Sequence, residues 1–154
     1  VDVIDLLIQQ HREADALFEA FRNAQDDASK KELCIQIAEA LTLHATIEER
    51  WIYPVARRVV GEDKIEHSVE EHGEMKQLIG DMLRMRNDLN GMAGKVSELE
   101  RVVKEHVADE EKNVLPQFGQ KVTEKEIGMS CNDIVRTASA VRREEMSKLE
   151  GANI

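Results

Sequence analysis

The sequence predicts an all-α protein, an up-down-up-down four-helix bundle with one or two additional C-terminal helices. Three observations carry this. Apolar residues recur at helical spacing through long charged stretches, β-branched alternation is nowhere sustained, and only Pro54 and Pro116 punctuate 154 residues. A chain of this length makes one domain whose core needs no covalent staples. Its composition, 42% hydrophobic and 34% charged, is that of a globular chain.

The elements follow in order. Ile4, Leu7, Ile8, His11, Ala14, Phe18 and Phe21 form one stripe of a first helix ending near Gln25. Asp26, Asp27 and Ser29 then offer capping chemistry. A second helix carries Leu33, Ile37, Leu41, His44, Glu48, Trp51 and Ile52, and is expected to stop by Tyr53, because Pro54 disfavours α geometry before it. After a break at 61–63, the third helix carries Ile65, Val69, His72, Met75, Ile79, Met82 and Leu89, with Asn90-Gly91 and Gly94 as its exit. The fourth runs through Val96, Leu99, Val103, His106, Glu110 and Val114 to about Leu115. Beyond it, Thr123 and Glu126 form a capping-box signature ahead of weaker periodicity through Ile127, Ile134, Val135 and Val141. We therefore divide the chain into a bundle over 1–118 and a helical extension over 119–154 packed on it. The methionines up to Met92 and the thiol of Cys34 are expected as core filling.

The charge of −10, from 31 acids against 21 bases, disfavours partners bound by phosphate neutralisation, so neither nucleic acid nor an anionic membrane is expected. No apolar run approaches the ~18 residues of a membrane span, and no leader-like segment is evident. Two cysteines, Cys34 and Cys131, are too few for a disulfide framework, which favours a reducing cytoplasm. A monomer or weak dimer is the expected form.

The two halves of the chain repeat one pattern. His11 is followed by His44, Glu48-Glu49 and Pro54; His72 is followed by His106, Glu110-Glu111 and Pro116. Each half reads H, about thirty residues, then H-x3-E-E-x4-P, and matching positions are offset by 61 or 62 residues. Two such helical hairpins build a bundle. At ~1.5 Å of rise per residue, all four histidines lie roughly 12–15 Å from the same end. They also fall on the apolar faces, following Ile8, Leu41, Val69 and Val103 by three residues.

A single histidine on such a face is ordinarily a satisfied core residue. Four in one layer, two with a glutamate at i+4, would cost several kcal/mol per uncompensated group unless a cation joins them. Imidazole and carboxylate without thiolate suit iron, zinc or manganese. Six ligands exceed one tetrahedral ion, and two inward glutamates can bridge a pair. The Glu-x-x-His pattern of ferritin-like centres is missing, as is His-Glu-x-x-His.

These residues resemble the haemerythrin-like (HHE cation-binding) domains. The resemblance rests on the order H…H-x3-E…H…H-x3-E, with E-E-x-x-I-Y-P at Glu48–Pro54 and E-H-x-x-M-K at Glu71–Lys76. With His11-Arg-Glu-Ala-Asp and the acidic single-domain form, the chain is most similar to the mycobacterial haemerythrin-like proteins. The resemblance covers about residues 1–118. It implies an oxo- or hydroxo-bridged di-iron centre that meets dioxygen, hydrogen peroxide or nitric oxide. It places His11 and His44 on one iron and His72 and His106 on the other, with Glu48 and Glu110 bridging.

One departure matters. Oxygen-carrying members have a fifth histidine four residues before the position of His72, and here that residue is Ser68. Three substitutes are open: water, His67, or a side chain from a neighbouring helix, with Tyr53 a candidate as ligand or as a contact just behind the ligands. The ordinary alternatives are an exposed His67 and a Tyr53 that packs as an aromatic plug beside Pro54. Glu49 and Glu111 are expected behind the ligands or in solvent. Losing an imidazole favours turnover over reversible storage. The expected function is consumption of peroxide or nitric oxide in oxidative or nitrosative stress; the alternative is binding or sensing of dioxygen, nitric oxide or iron without turnover.

Overall fold

The computed structural model describes residues 2–151. Among them the chain is helical from end to end, with short connections and no strand. Helix α1 spans Asp2–Asn23 and α2 spans Asp27–Ile47. Asp26 caps α2 as the sequence predicts, its carboxylate accepting from the Ser29 N–H at 2.7 Å.

The prolines do not end their helices. After α2 comes one wide π turn over Glu48–Ile52, and helix α3 continues over Tyr53–Val59 with Pro54 in its first turn. The same happens after α5: a π turn over Glu110–Val114 leads into α6, Leu115–Lys121, with Pro116 in its first turn. A proline ring inside an α-helix collides with the carbonyl four residues back and supplies no N–H. The wider turn absorbs both problems, because the Tyr53 N–H bonds to the Glu48 carbonyl and the Leu115 N–H to that of Glu110. Helix α4 spans Glu62–Arg84 and α5 spans Leu89–Asp109. Asn90, Gly91 and Gly94 thus open α5 rather than close the helix before it. Asp88 is the reason: its carboxylate accepts from the Gly91 N–H at 3.1 Å and caps the new helix there.

The four long helices pack as a ring, α1 on α2, α2 on α4, α4 on α5 and α5 on α1. The short α7, Glu124–Ile127, begins at the capping box of Thr123 and Glu126. Helix α8, Cys131–Gly151, lies along α2 and α4. Two apolar clusters fill the interior. Phe18, Ile37, Leu41, Ile79, Met82, Met92 and Leu99 belong to one, with Cys34 buried among them. Leu7, Ile47, Ile52, Ile65, Leu115, Phe118 and Ile134 belong to the other. The spacing of the repeat places a polar layer between these clusters, where the interior would otherwise be continuous hydrocarbon.

Candidate metal centre

His11, His44, His72 and His106 come from α1, α2, α4 and α5 and meet in that layer, with Glu48 and Glu110 from the two π turns. All six are buried, both glutamates at 0% exposure. The histidines form two equivalent pairs. The rings of His11 and His44 lie 4.8 Å apart at 63°, and those of His72 and His106 have the same separation and angle. The repeat in the sequence is therefore a pseudo-twofold axis through the site.

Each carboxylate reaches both pairs. Glu48 Oε1 lies 3.1 Å from His44 Nε2 and 2.9 Å from His72 Nε2. Glu110 lies 3.2 Å from His106 Nε2 and 3.1 Å from His11 Nε2. The outer nitrogen of every ring is held by an acceptor. His11 Nδ1 donates to Glu111 at 2.7 Å, His72 Nδ1 to Glu49 at 2.8 Å, His106 Nδ1 to Glu71 at 3.0 Å, and His44 Nδ1 to Gln10 at 2.7 Å. A carboxylate or amide oxygen can only accept, so each Nδ1 carries hydrogen and each neutral ring turns an Nε2 lone pair inward.

That donor set fits a metal cation. His11 Nε2 and His44 Nε2 face each other at 3.2 Å, a contact that needs a proton or a cation between two lone pairs. Glu48 Oε2 and His106 Nε2 are buried without a hydrogen-bond partner. Donor atoms of His44, Glu48, His106 and Glu110 all lie within 4.8 Å of one another. Without a cation, protons take its part. Burial alone would push His106 down, but Glu110, Glu48 and Glu71 outweigh it and hold its pKa up at about 12. His11 is raised in the same way, burial being outweighed by Glu110 and its neighbours, and His72 by Glu48 and Glu49. Burial would push Glu48 up, yet the charge of His44 and the surrounding hydrogen bonds keep it well below the usual carboxylate range.

Tyr53 stands inside the layer. Its hydroxyl lies 3.1 Å from Glu48 Oε1, 3.0 Å from His72 Nε2 and 3.0 Å from Glu110 Oε2. The π turn accounts for this. Five residues rather than four close the turn, so Tyr53 falls nearly under Glu48 instead of rotating past it. The pseudo-twofold equivalent of Tyr53 is Leu115, and that of Ser68 is Leu7. A large polar residue with a small one on one side thus faces two leucines on the other. Burial, with Glu48 and Glu110 beside it, holds the Tyr53 phenol well above its ordinary pKa, so it keeps its proton in the absence of a cation.

The structure does not bring His67 to the centre. Its side chain is 59% exposed, 3.6 Å from Glu71, which stands between it and His106. Ser68 is buried, and its hydroxyl donates to the Lys64 carbonyl at 3.3 Å rather than entering the layer. Gln10 and Glu71, the acceptors behind His44 and His106, are not singled out by the sequence reading. Their signal is that each immediately precedes a repeat histidine at equivalent positions. Glu49 and Glu111 are tied in turn to Lys76 at 2.5 Å and Arg12 at 2.6 Å.

The model of the Hemerythrin HHE cation binding domain matches residues 2–118. The chain belongs to this family. A curated relative, named a DNA nickase, from Nostoc sp. (strain PCC 7120 / SAG 25.82 / UTEX 2576), is 22% identical over 154 residues, all of this chain and 44% of that protein. The chain therefore spans less than half the length of that relative. The relative's name lends no support to the expectation that nucleic acid is excluded. No solved structure matches significantly. Among the described residues no helix is long and apolar enough to cross a membrane.

Proposed function

We propose that this haemerythrin-family chain holds two iron ions, one on His11 and His44 and the other on His72 and His106, with Glu48 and Glu110 shared between them. The observation that carries this is the reach of both carboxylates: each touches one histidine of either pair. A single ion would leave one pair of imidazoles and its shared carboxylate oxygens uncompensated in a buried layer.

We assign the place of the missing histidine to Tyr53, whose hydroxyl is 3.0 Å from His72 Nε2. A nearby cation reverses the electrostatics that hold the phenol protonated and favours phenolate. When bound, the iron pair supplies one- and two-electron chemistry toward dioxygen, hydrogen peroxide or nitric oxide. The chain's part is to fix four ring orientations through Gln10, Glu49, Glu71 and Glu111, to hold a proton at Tyr53 or release it, and to keep bulk water out with the two apolar clusters. An oxygen donor in place of imidazole favours the oxidised state, and with it consumption of peroxide or nitric oxide in stress over reversible storage.

Stopped-flow mixing of the reduced protein with oxygen tests this. A short-lived complex with measurable peroxide consumption is expected. A long-lived, reversible complex without peroxide loss would replace this reading with binding or sensing. In Tyr53→Phe the visible phenolate-to-iron band should disappear while both irons remain. A second reading, strand nicking, is favoured by the match to the Nostoc protein alone. Conversion of supercoiled plasmid to open circles by the iron-loaded protein, lost in Glu48→Ala, would establish it; intact plasmid would dismiss it.

A further inference from the structure

A cavity of about 50 Å³ lies beside the polar layer, between α2, α4 and α8. The buried ring of His72 lines it together with Glu49 and Lys76, and so do Arg50 and Glu145, which lie 3.6 Å apart. Between them the walls are mostly apolar, and Leu41, Met75, Ile79 and Leu149 contribute to them. Two threonines break that pattern, and one of them, Thr46, is satisfied by donating to the Thr42 carbonyl at 2.8 Å. Thr42 is 3% exposed, and its hydroxyl has no hydrogen-bond partner. A buried hydroxyl left unpaired is destabilising, so a small molecule in the cavity is the natural partner. By volume the space admits roughly two or three waters, or one molecule of similar bulk.

The cover over this cavity is built by specific contacts. Helix α8 reaches α4 at Gly80, where a Cβ would collide with the carbonyl oxygen of Leu149. Arg84 of α4 donates to the carbonyls of Leu149 at 3.2 Å and Glu150 at 2.6 Å, and Arg86 pairs with Glu150 at 2.9 Å. The fully buried residues of α8, Ile134 and Ala138, both lie in its N-terminal half. The half that covers the cavity is held by these polar ties and by Met146 and Leu149, which are only partly buried against the core.

We infer that this cavity is the port and holding site through which a small neutral hydrogen-bonding molecule, with hydrogen peroxide as the type, reaches the His72 side of the centre. Thr42 Oγ1 binds it on the way, and the C-terminal half of α8 forms the removable outer wall. The charged groups in its lining are paired with one another, Glu49 with Lys76 and Arg50 with Glu145, and the apolar stretch favours a neutral molecule of a few heavy atoms. The inference deepens the proposed function and rests on it for the destination, but the cavity can be tested without iron.

Two experiments decide it. In the metal-free protein, xenon should shift the methyl resonances of Met75, Ile79 and Leu149, and Thr42→Leu should abolish those shifts. Absence of xenon shifts at these methyls would overturn the cavity. In the iron-loaded protein, the rate at which hydrogen peroxide bleaches the iron absorption should fall tenfold or more in Thr42→Leu. It should rise severalfold in Leu149→Ala and in Gly80→Ala, with iron content and resting spectrum unchanged in each. Equal rates in all four proteins, with those spectra intact, would show that peroxide enters elsewhere. Failure of the chain to hold iron would instead defeat the proposed function and leave the xenon result standing.

Discussion

Replacing Gln10 by glutamate should tighten metal binding at the His11–His44 side. Three of the four histidines donate their Nδ1 hydrogen to a carboxylate, whereas His44 alone donates to an amide, at 2.7 Å. A hydrogen bond to a charged acceptor contributes about 1.5–3 kcal/mol against about 0.5–1.5 kcal/mol for a neutral one. The exchange should therefore add about 1 kcal/mol or somewhat more to the basicity felt by the ion on His44. That corresponds to roughly a tenfold gain in affinity, the lower end of what outer partners of metal ligands contribute. Glu71 occupies the equivalent position behind His106, so Glu71→Gln should produce the opposite change on the other ion. The assay is ferrous iron titration against a competing chelator, which resolves two successive binding steps. The first variant should bring the two steps together or tighten the weaker one, and the second should weaken one step by about tenfold. Unchanged binding in both variants would refute the argument that these acceptors tune the centre.

Two further outcomes follow from the electrostatics. Because His11, His72 and His106 have raised pKa values in the metal-free protein, loading must displace protons. Their stabilisation of the metal-free fold is complete below about 6.5 and is lost only as pH rises through the raised values, up to about 12 for His106. That of Glu48 is present above its ordinary pKa and lost as pH falls through its lowered one. The gain in Tm on adding iron should consequently grow from pH 6 to pH 8, with affinity rising about tenfold per pH unit for each proton displaced. A gain that shrinks over that range would contradict the sign. Cys34 is fully buried and its pKa is pushed up to about 11 by burial, so the native protein should leave it unalkylated by iodoacetamide at pH 8 while unfolding exposes it. Mass spectrometry of the two samples checks this.

The fold and the height of the histidine layer were legible because both depend on periodicity. A repeat offset by 61 or 62 residues, on faces already marked by Ile37, Leu41, Leu99 and Val103, leaves one way to pack two hairpins. What escaped were features decided by competition between local rules. Pro54 and Pro116 end helices in isolation, but here a π turn accommodates each ring and keeps the helix going. Asn90-Gly91 reads as an exit, yet Asp88 one turn earlier captures the Gly91 N–H and begins a helix. The sequence brings Tyr53 to the correct end of the bundle; the π turn supplies the rotation that puts its hydroxyl 3.0 Å from His72. Gln10 and Glu71 stand beside repeat histidines in the sequence, but spacing alone does not reveal which rings they hold. Each reaches a histidine on the neighbouring helix, and such a contact depends on helix phase as well as spacing. His67, adjacent to the ligand stretch in sequence, points away because five residues of α-helix carry it about 140° from His72.

Metal analysis of protein reconstituted with ferrous iron under anaerobic conditions addresses the shared-carboxylate arrangement most directly. Two irons per chain are expected in the native protein, with both weakened by Glu48→Ala and both by Glu110→Ala, since each glutamate touches both histidine pairs. One iron per chain, or a glutamate variant that loses one ion and leaves the affinity of the other untouched, would contradict it.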